Sequence, residues 1–293
     1  MKFMTKPRII GIILLIIALL VYFTGKGGGI FIGILSILLL VAPKKHANTT
    51  FDLYIENFSK LKTVIITALY DAIYWLVIFG TAYMLQWLIQ GKIAGAQVAL
   101  ITQQEMMKPE IIGPSADALK NVVIFLFAGA AIFLIFACLI YGISRAFIWS
   151  TIAKQKLDKK YLLKFILLNA AWWAIWLPLY VIINLALKGD PRVKEAMVVI
   201  LFVGYYFTPI VHTLYVKKHL IGYSIGNGIA WGISKIHKLI IPYTYVFITY
   251  IILYQLYRLA EQTAWAKPVS ILFIIIFIAW VRTYLYDIIK EFK

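Results

Sequence analysis

The chain has 293 residues, 63% of them hydrophobic and 14% charged, against roughly 45–50% and about 25% in soluble domains. Such an apolar excess cannot be covered in water, so lipid must solvate much of the chain, and a soluble globular fold is excluded. There are 29 Lys and Arg against 12 Asp and Glu, a net charge of +17; the single cysteine, Cys138, excludes an intramolecular disulfide and a cysteine-based metal site.

In chain order, two short apolar runs come first, 9–23 and 30–42, joined by Thr24-Gly-Lys-Gly-Gly-Gly29. Glycine tolerates the backbone angles of a tight reversal. At 1.5 Å per residue, runs of about 13 to 15 residues reach only about 20–23 Å, short of a hydrocarbon core of about 30 Å. Residues 1–45 therefore read as a short hydrophobic hairpin. No cleavage is expected after the first run, because Val21-Tyr-Phe-Thr24 lacks the small-x-small pattern.

Six longer runs follow, 63–89, 121–149, 161–187, 195–216, 239–257 and 268–289. Each suffices for a membrane-spanning helix. The expected fold is thus all-α: a polytopic transmembrane bundle of six spans over residues 46–293, plus the hairpin, about eight segments in one integral membrane domain. The connection 91–120 is long, and 94–107 reads as a short helix ahead of Pro109 and Pro114.

Charge orients the chain. Twenty of the 29 Lys and Arg fall on the N-terminus, 43–62, 145–164, 217–238 and the C-terminal end, so both termini and these connections are expected in the cytoplasm, in the cell membrane. Within them, 51–62, 145–164 and 223–238 read as amphipathic helices lying along the inner leaflet, lysines at anionic headgroups. The sequons at Asn48 and Asn57 then face the cytoplasm and stay unglycosylated. The cations form no compact arginine-rich block, so lipid is the expected partner and nucleic acid is not. The Ile- and Lys-rich usage is that of an AT-rich prokaryotic source.

Catalytic signatures are absent: no H-E-x-x-H, no Walker A loop, no G-x-S-x-G elbow. No cofactor or metal is expected. The sharper signal is charge inside a span, which costs about +2.5–3.5 kcal/mol at a helix centre and so calls for a partner or water. Asp71 lies about two turns inside the first long span, and Arg282 stands at similar depth in the last. The two form a pair if their helices are neighbours. Arg145 and His212 fall about one turn from span ends, where snorkelling would suffice. Two readings of Asp71 follow: a cytoplasm-facing polar cavity for an ion, proton or anionic headgroup, or a buried salt bridge fixing helix register.

Aromatic and broken-helix features complete the candidates. Tyr243, Tyr250, Tyr254 and Tyr257 recur on one helical face. Trp172, Trp173 and Trp176 precede Pro178 between Asn169 and Asn184, and Thr208-Pro209 stands beside Tyr205, Tyr206 and His212. Kinked helices with polar residues at mid-membrane are where transporters build sites. Small residues Gly129, Ala130, Ala131, Ala137 and Gly142 suit close helix approach. Three functional readings emerge: a transporter- or channel-like bundle for a small solute, ion or lipid; a non-catalytic membrane subunit that assembles with other membrane chains; and, third, a lipid-modifying enzyme.

Overall fold

A computed structural model describes residues 10, 11, 13, 37, 44–106, 112–188, 190, 192–260 and 266–291. Among these, the regular elements are all helical. In chain order they are α1 (Lys44–Asn57), a 3₁₀ turn (Phe58–Lys60), α2 (Leu61–Met106), α3 (Ile112–Ala153), α4 (Lys159–Ala186), α5 (Val193–Lys218), α6 (Ile221–Ser234), α7 (Ile236–Ala260) and α8 (Ala266–Glu291). Six stretches are long and apolar enough to cross a membrane: Thr49–Ala94, Lys120–Ala153, Lys159–Ala186, Val193–Lys218, Ile236–Arg258 and Pro268–Glu291. The chain is a multi-pass helical membrane protein. The expected hairpin over 1–45 lies almost wholly outside the described residues.

Two helices run much further than their apolar stretches require. With 46 residues α2 is about 69 Å long, and with 42 residues α3 is about 63 Å, each roughly twice a hydrocarbon core. The connection expected as a loop with a short helix is instead built largely from continuations of these two helices. Gly91 and Gly95 do not end α2, and Pro114 lies in the first turn of α3, where its missing N–H breaks no hydrogen bond.

The helices fall into two compact units. The first comprises Met1–Ala68, Trp149–Lys156 and Pro178–Lys293; the second comprises Leu69–Ile148 and Leu157–Leu177. In the first, α8 supplies the centre of the core: Ala279, Val281, Tyr284, Leu285 and Ile288 pack with Val64, Ile210 and Leu239. Val281, Tyr284, Leu285 and Ile288 share one helical face and Ala279 lies opposite, so α8 is buried on more than one side. Alongside, α6 lies tight on α5 through Ser224, Gly228 and Gly232, four residues apart and all buried. A Cβ at Gly228 would stand 2.7 Å from Val211 Cγ2, and one at Gly232 2.6 Å from Phe207 Cε1. Glycine is what lets the two helices approach so closely.

In the second unit α2 and α3 run antiparallel in a single register. Tyr70 faces Phe147, Tyr74 faces Tyr141, and Leu85 faces Gly129. The third helix, α4, starts on a side-chain cap, with Asp158 Oδ1 accepting from Tyr161 N–H at 2.6 Å. It approaches α3 at Gly142, where a Cβ would stand 2.9 Å from Ile166 Cα.

The three basic segments have different structures. Residues 51–62 run from α1 through the 3₁₀ turn into α2. Lys60 there bridges Glu56 at 3.2 Å and Asp287 at 2.8 Å, while Asn57 is buried with its amide donating to the Trp280 carbonyl at 3.0 Å. Residues 145–164 are no single helix: they are the end of α3, a turn and the start of α4, because Lys154 takes the left-handed conformation (φ 54°) and Asp158 caps a new helix. Residues 223–238 contain a separate helix, α6, which ends before Lys235.

Candidate functional site

The register of α2 against α3 brings Asp71 opposite Arg145. Arg145 Nη2 donates to Asp71 Oδ1 at 2.5 Å, and the two residues are 5% and 2% exposed. This corrects the snorkelling expected of Arg145. α3 continues to Ala153, four residues beyond the expected end, so Arg145 lies two turns inside the helix rather than one. Arg145 stands on the Asp71 carboxylate, and Arg282, which sequence depth makes a partner of Asp71 if their helices are neighbours, is a half-buried residue of α8.

Aromatic rings enclose the cation. The Arg145 guanidinium lies 4.8 Å from the Tyr141 ring centroid and 5.6 Å from that of Tyr74. The two rings meet edge to face at 5.8 Å, and Tyr141 also meets Trp173 at 5.8 Å. The spacing follows from the helices: Tyr141 precedes Arg145 by one turn on α3, and Tyr74 follows Asp71 by one turn on α2. Above them Ser144 Oγ donates to the Tyr70 carbonyl at 3.4 Å. Arg145 Nε is buried without a hydrogen-bond acceptor among the described residues. The charges are thus neutralised by each other and faced by π-systems, a dry arrangement that suits holding two helices in register. Tyr74 and Tyr141 escaped the sequence reading, although their one-turn offsets from the two charges were available to it.

The remaining candidates are dispersed. His212 on α5 is fully buried, 0% exposed, and meets Trp149 edge to face at 5.4 Å. It does not snorkel, because Trp149 and α8 pack over it. Trp149 in turn meets Tyr286 at 6.2 Å. Asn169, also buried, donates to the Phe165 carbonyl of its own helix at 2.8 Å.

The tyrosine stripe of α7 divides. Tyr243 OH donates to the Tyr206 carbonyl at 3.1 Å, and Tyr206 OH donates to the Gly232 carbonyl at 2.8 Å, stitching α7, α5 and α6. Tyr250 and Tyr254 stack on each other at 6.3 Å and stay exposed. A second aromatic cluster, unforeseen in the sequence, centres on Tyr54, whose ring lies 5.1 to 5.8 Å from those of Tyr245, Phe58, Trp280 and Tyr284. Its hydroxyl shares a hydrogen bond of 2.9 Å with Thr249 Oγ1.

Among the described residues no group of three His, Cys, Asp or Glu side chains is placed to hold a metal ion. Compared with protein-family models, characterised proteins and solved structures, the chain matches none.

Proposed function

We propose that the protein is a non-catalytic membrane subunit, a helical scaffold that docks another membrane chain along α3. The reading is carried by one observation. Over the most apolar 18-residue stretch of the span Lys120–Ala153, none of the window is buried, whereas Arg145, Ala146, Ile148, Trp149 and Ser150 at its end are buried. Lipid tails are as apolar as leucine, so packing and polar contacts hold helices together in a bilayer. A span packed at one end, with no fully buried residue over its most apolar stretch among the described residues, has a face to offer a second chain. Ile124, Phe127, Ile135 and Leu139 line that face, all exposed. Both termini are cytoplasmic in this reading, and the protein is a single integral membrane domain.

Asp71 fits this role as a register lock for α2 and α3, the helices that form the docking arm. The test is a photo-crosslinking side chain placed at Ile124, Phe127 or Ile135 in native membranes. Adducts to one membrane protein, identified by mass spectrometry and specific to this face, are expected. Lipid adducts alone at all three positions would overturn the scaffold.

Transport of a small solute, ion or lipid is the second reading, favoured by the prolines inside three helices, Pro178 in α4, Pro209 in α5 and Pro242 in α7. Each removes a backbone hydrogen bond within an apolar helix. Solute flux by the purified protein alone in proteoliposomes, abolished in a stably folded Asp71→Asn variant, would establish that reading instead.

A further inference from the structure

Three helix C-termini of the first unit meet on one side. Gln155, just past the end of α3, donates from Nε2 to the Val216 carbonyl of α5 at 2.9 Å. Lys217, near the end of α5, directs Nζ at the carbonyls of Ile289 and Lys290 at the end of α8, at 3.4 and 3.3 Å. These contacts gather five exposed lysines: Lys154, Lys156, Lys217, Lys218 and Lys290. Lys154 and His219 both adopt φ of 54°, closing α3 and α5 with left-handed caps that turn the chain sharply at the cluster.

Among the described residues none of these five lysines forms an ion pair. Asp287 and Glu56 on the same unit are taken up by Lys60, and Glu291 is the acid next to Lys290 in sequence. Lysine is favoured at helix C-termini, where each macrodipole ends in about −0.5 of a charge. Set against Glu291 and three such ends, the five lysines remain in excess. Lys217 reaches two carbonyls with an ammonium that has three N–H donors, so one remains for a ligand, and capping does not account for the other four. The three ends are also the ends of the candidate spans Lys120–Ala153, Val193–Lys218 and Pro268–Glu291, so the surplus sits where a bilayer presents its headgroups.

We propose that this junction is a binding site for a phosphate-bearing anionic lipid headgroup, with Lys154, Lys217 and Lys290 as its principal ligands. It goes beyond the scaffold role and does not depend on it. The sequence distributes basic residues over five segments as the positive-inside bias does; the fold gathers one subset into a site.

The test uses the full chain in nanodiscs of phosphatidylcholine mixed with phosphatidylglycerol, the relative retention of the two lipids being read by native mass spectrometry. Near a membrane surface each lysine is worth about fivefold in affinity, so K154Q/K217Q/K290Q is expected to lose selectivity for phosphatidylglycerol on the order of a hundredfold. Replacement of the same three by arginine retains it. A control of equal charge loss at the opposite span ends, K120Q/K188Q/K194Q, is expected to lose less than fivefold. Equal losses in the two glutamine variants would overturn the site. So would full protection of the wild type against thermal unfolding by inorganic phosphate in detergent, since that would make it a free-phosphate site.

Discussion

Removing one member of the Asp71–Arg145 pair leaves the other charge inside the bilayer. The side chains are 3% and 6% exposed and the contact is 2.5 Å, so solvent screening is weak and the interaction is of the buried kind. Breaking such a pair costs about 3–5 kcal/mol, whereas replacing both members with apolar residues is often neutral or better. Asp71→Asn should also free the guanidinium from its anion while the Tyr74 and Tyr141 rings remain, and those contacts are worth up to about 2 kcal/mol when desolvated. The expected cost of Asp71→Asn is therefore at the lower end, about 3 kcal/mol, and that of Arg145→Met about 3–4 kcal/mol. Asp71→Leu with Arg145→Met should cost less than either single change. The assay is reversible unfolding in bicelles with a double-mutant cycle. A coupling energy below about 0.5 kcal/mol, the ordinary limit of additivity, would refute the lock.

Other consequences are smaller but separable. Gly142→Ala should destabilise by about 1–3 kcal/mol, because the added Cβ meets the Ile166 backbone rather than a movable side-chain tip. Gly222→Ala, where nothing lies within 4 Å, should instead stabilise α6 by up to about 1 kcal/mol through helix propensity; thermal unfolding of the pair of variants checks both signs. Tyr243→Phe should cost about 0.5–1.5 kcal/mol through the lost bond to the Tyr206 carbonyl, while Tyr254→Phe on the exposed half of the stripe should be neutral. In the connection between α4 and α5, the Arg192 side chain and then its backbone N–H hold the Asp190 carboxyl below its ordinary value of 3.8. Asp190 should consequently titrate at lower pH than a free aspartate, favouring the turn above the ordinary carboxylate range and releasing it as pH falls through the depressed value. Carbon NMR of labelled aspartate should show Arg192→Gln moving the titration up toward the ordinary value, the backbone N–H keeping the rest of the shift, and an unchanged profile would refute the pairing.

The spans were legible in the sequence because the signal is additive: twenty apolar residues declare themselves without knowledge of any neighbour. Their ends were less so. α3 outruns its apolar stretch by one turn through polar residues such as Ser150, which helices accept readily, and that turn sets Arg145 deeper, whereas His212 is interior through its packing against Trp149. The partner of Asp71 was open for a related reason. Depth alone favours Arg282, two turns from its span end, over Arg145, one turn from its own, and only the register of α2 on α3 shows that Arg145 faces Asp71. Helix-end convergence was invisible, since Lys154, Lys217 and Lys290 are far apart in sequence. The tyrosines of α7 share a face by periodicity, but which end of that face meets protein depends on α5 and α6.

The composition of the complex extracted gently from native membranes tests the scaffold most directly. Native mass spectrometry should show the chain bound to a second, identifiable membrane protein, and a variant with Phe127 and Ile135 both changed to alanine should release that partner while unfolding like the wild type. A wild-type protein found alone with bound lipid, and indistinguishable from the variant, would contradict the account.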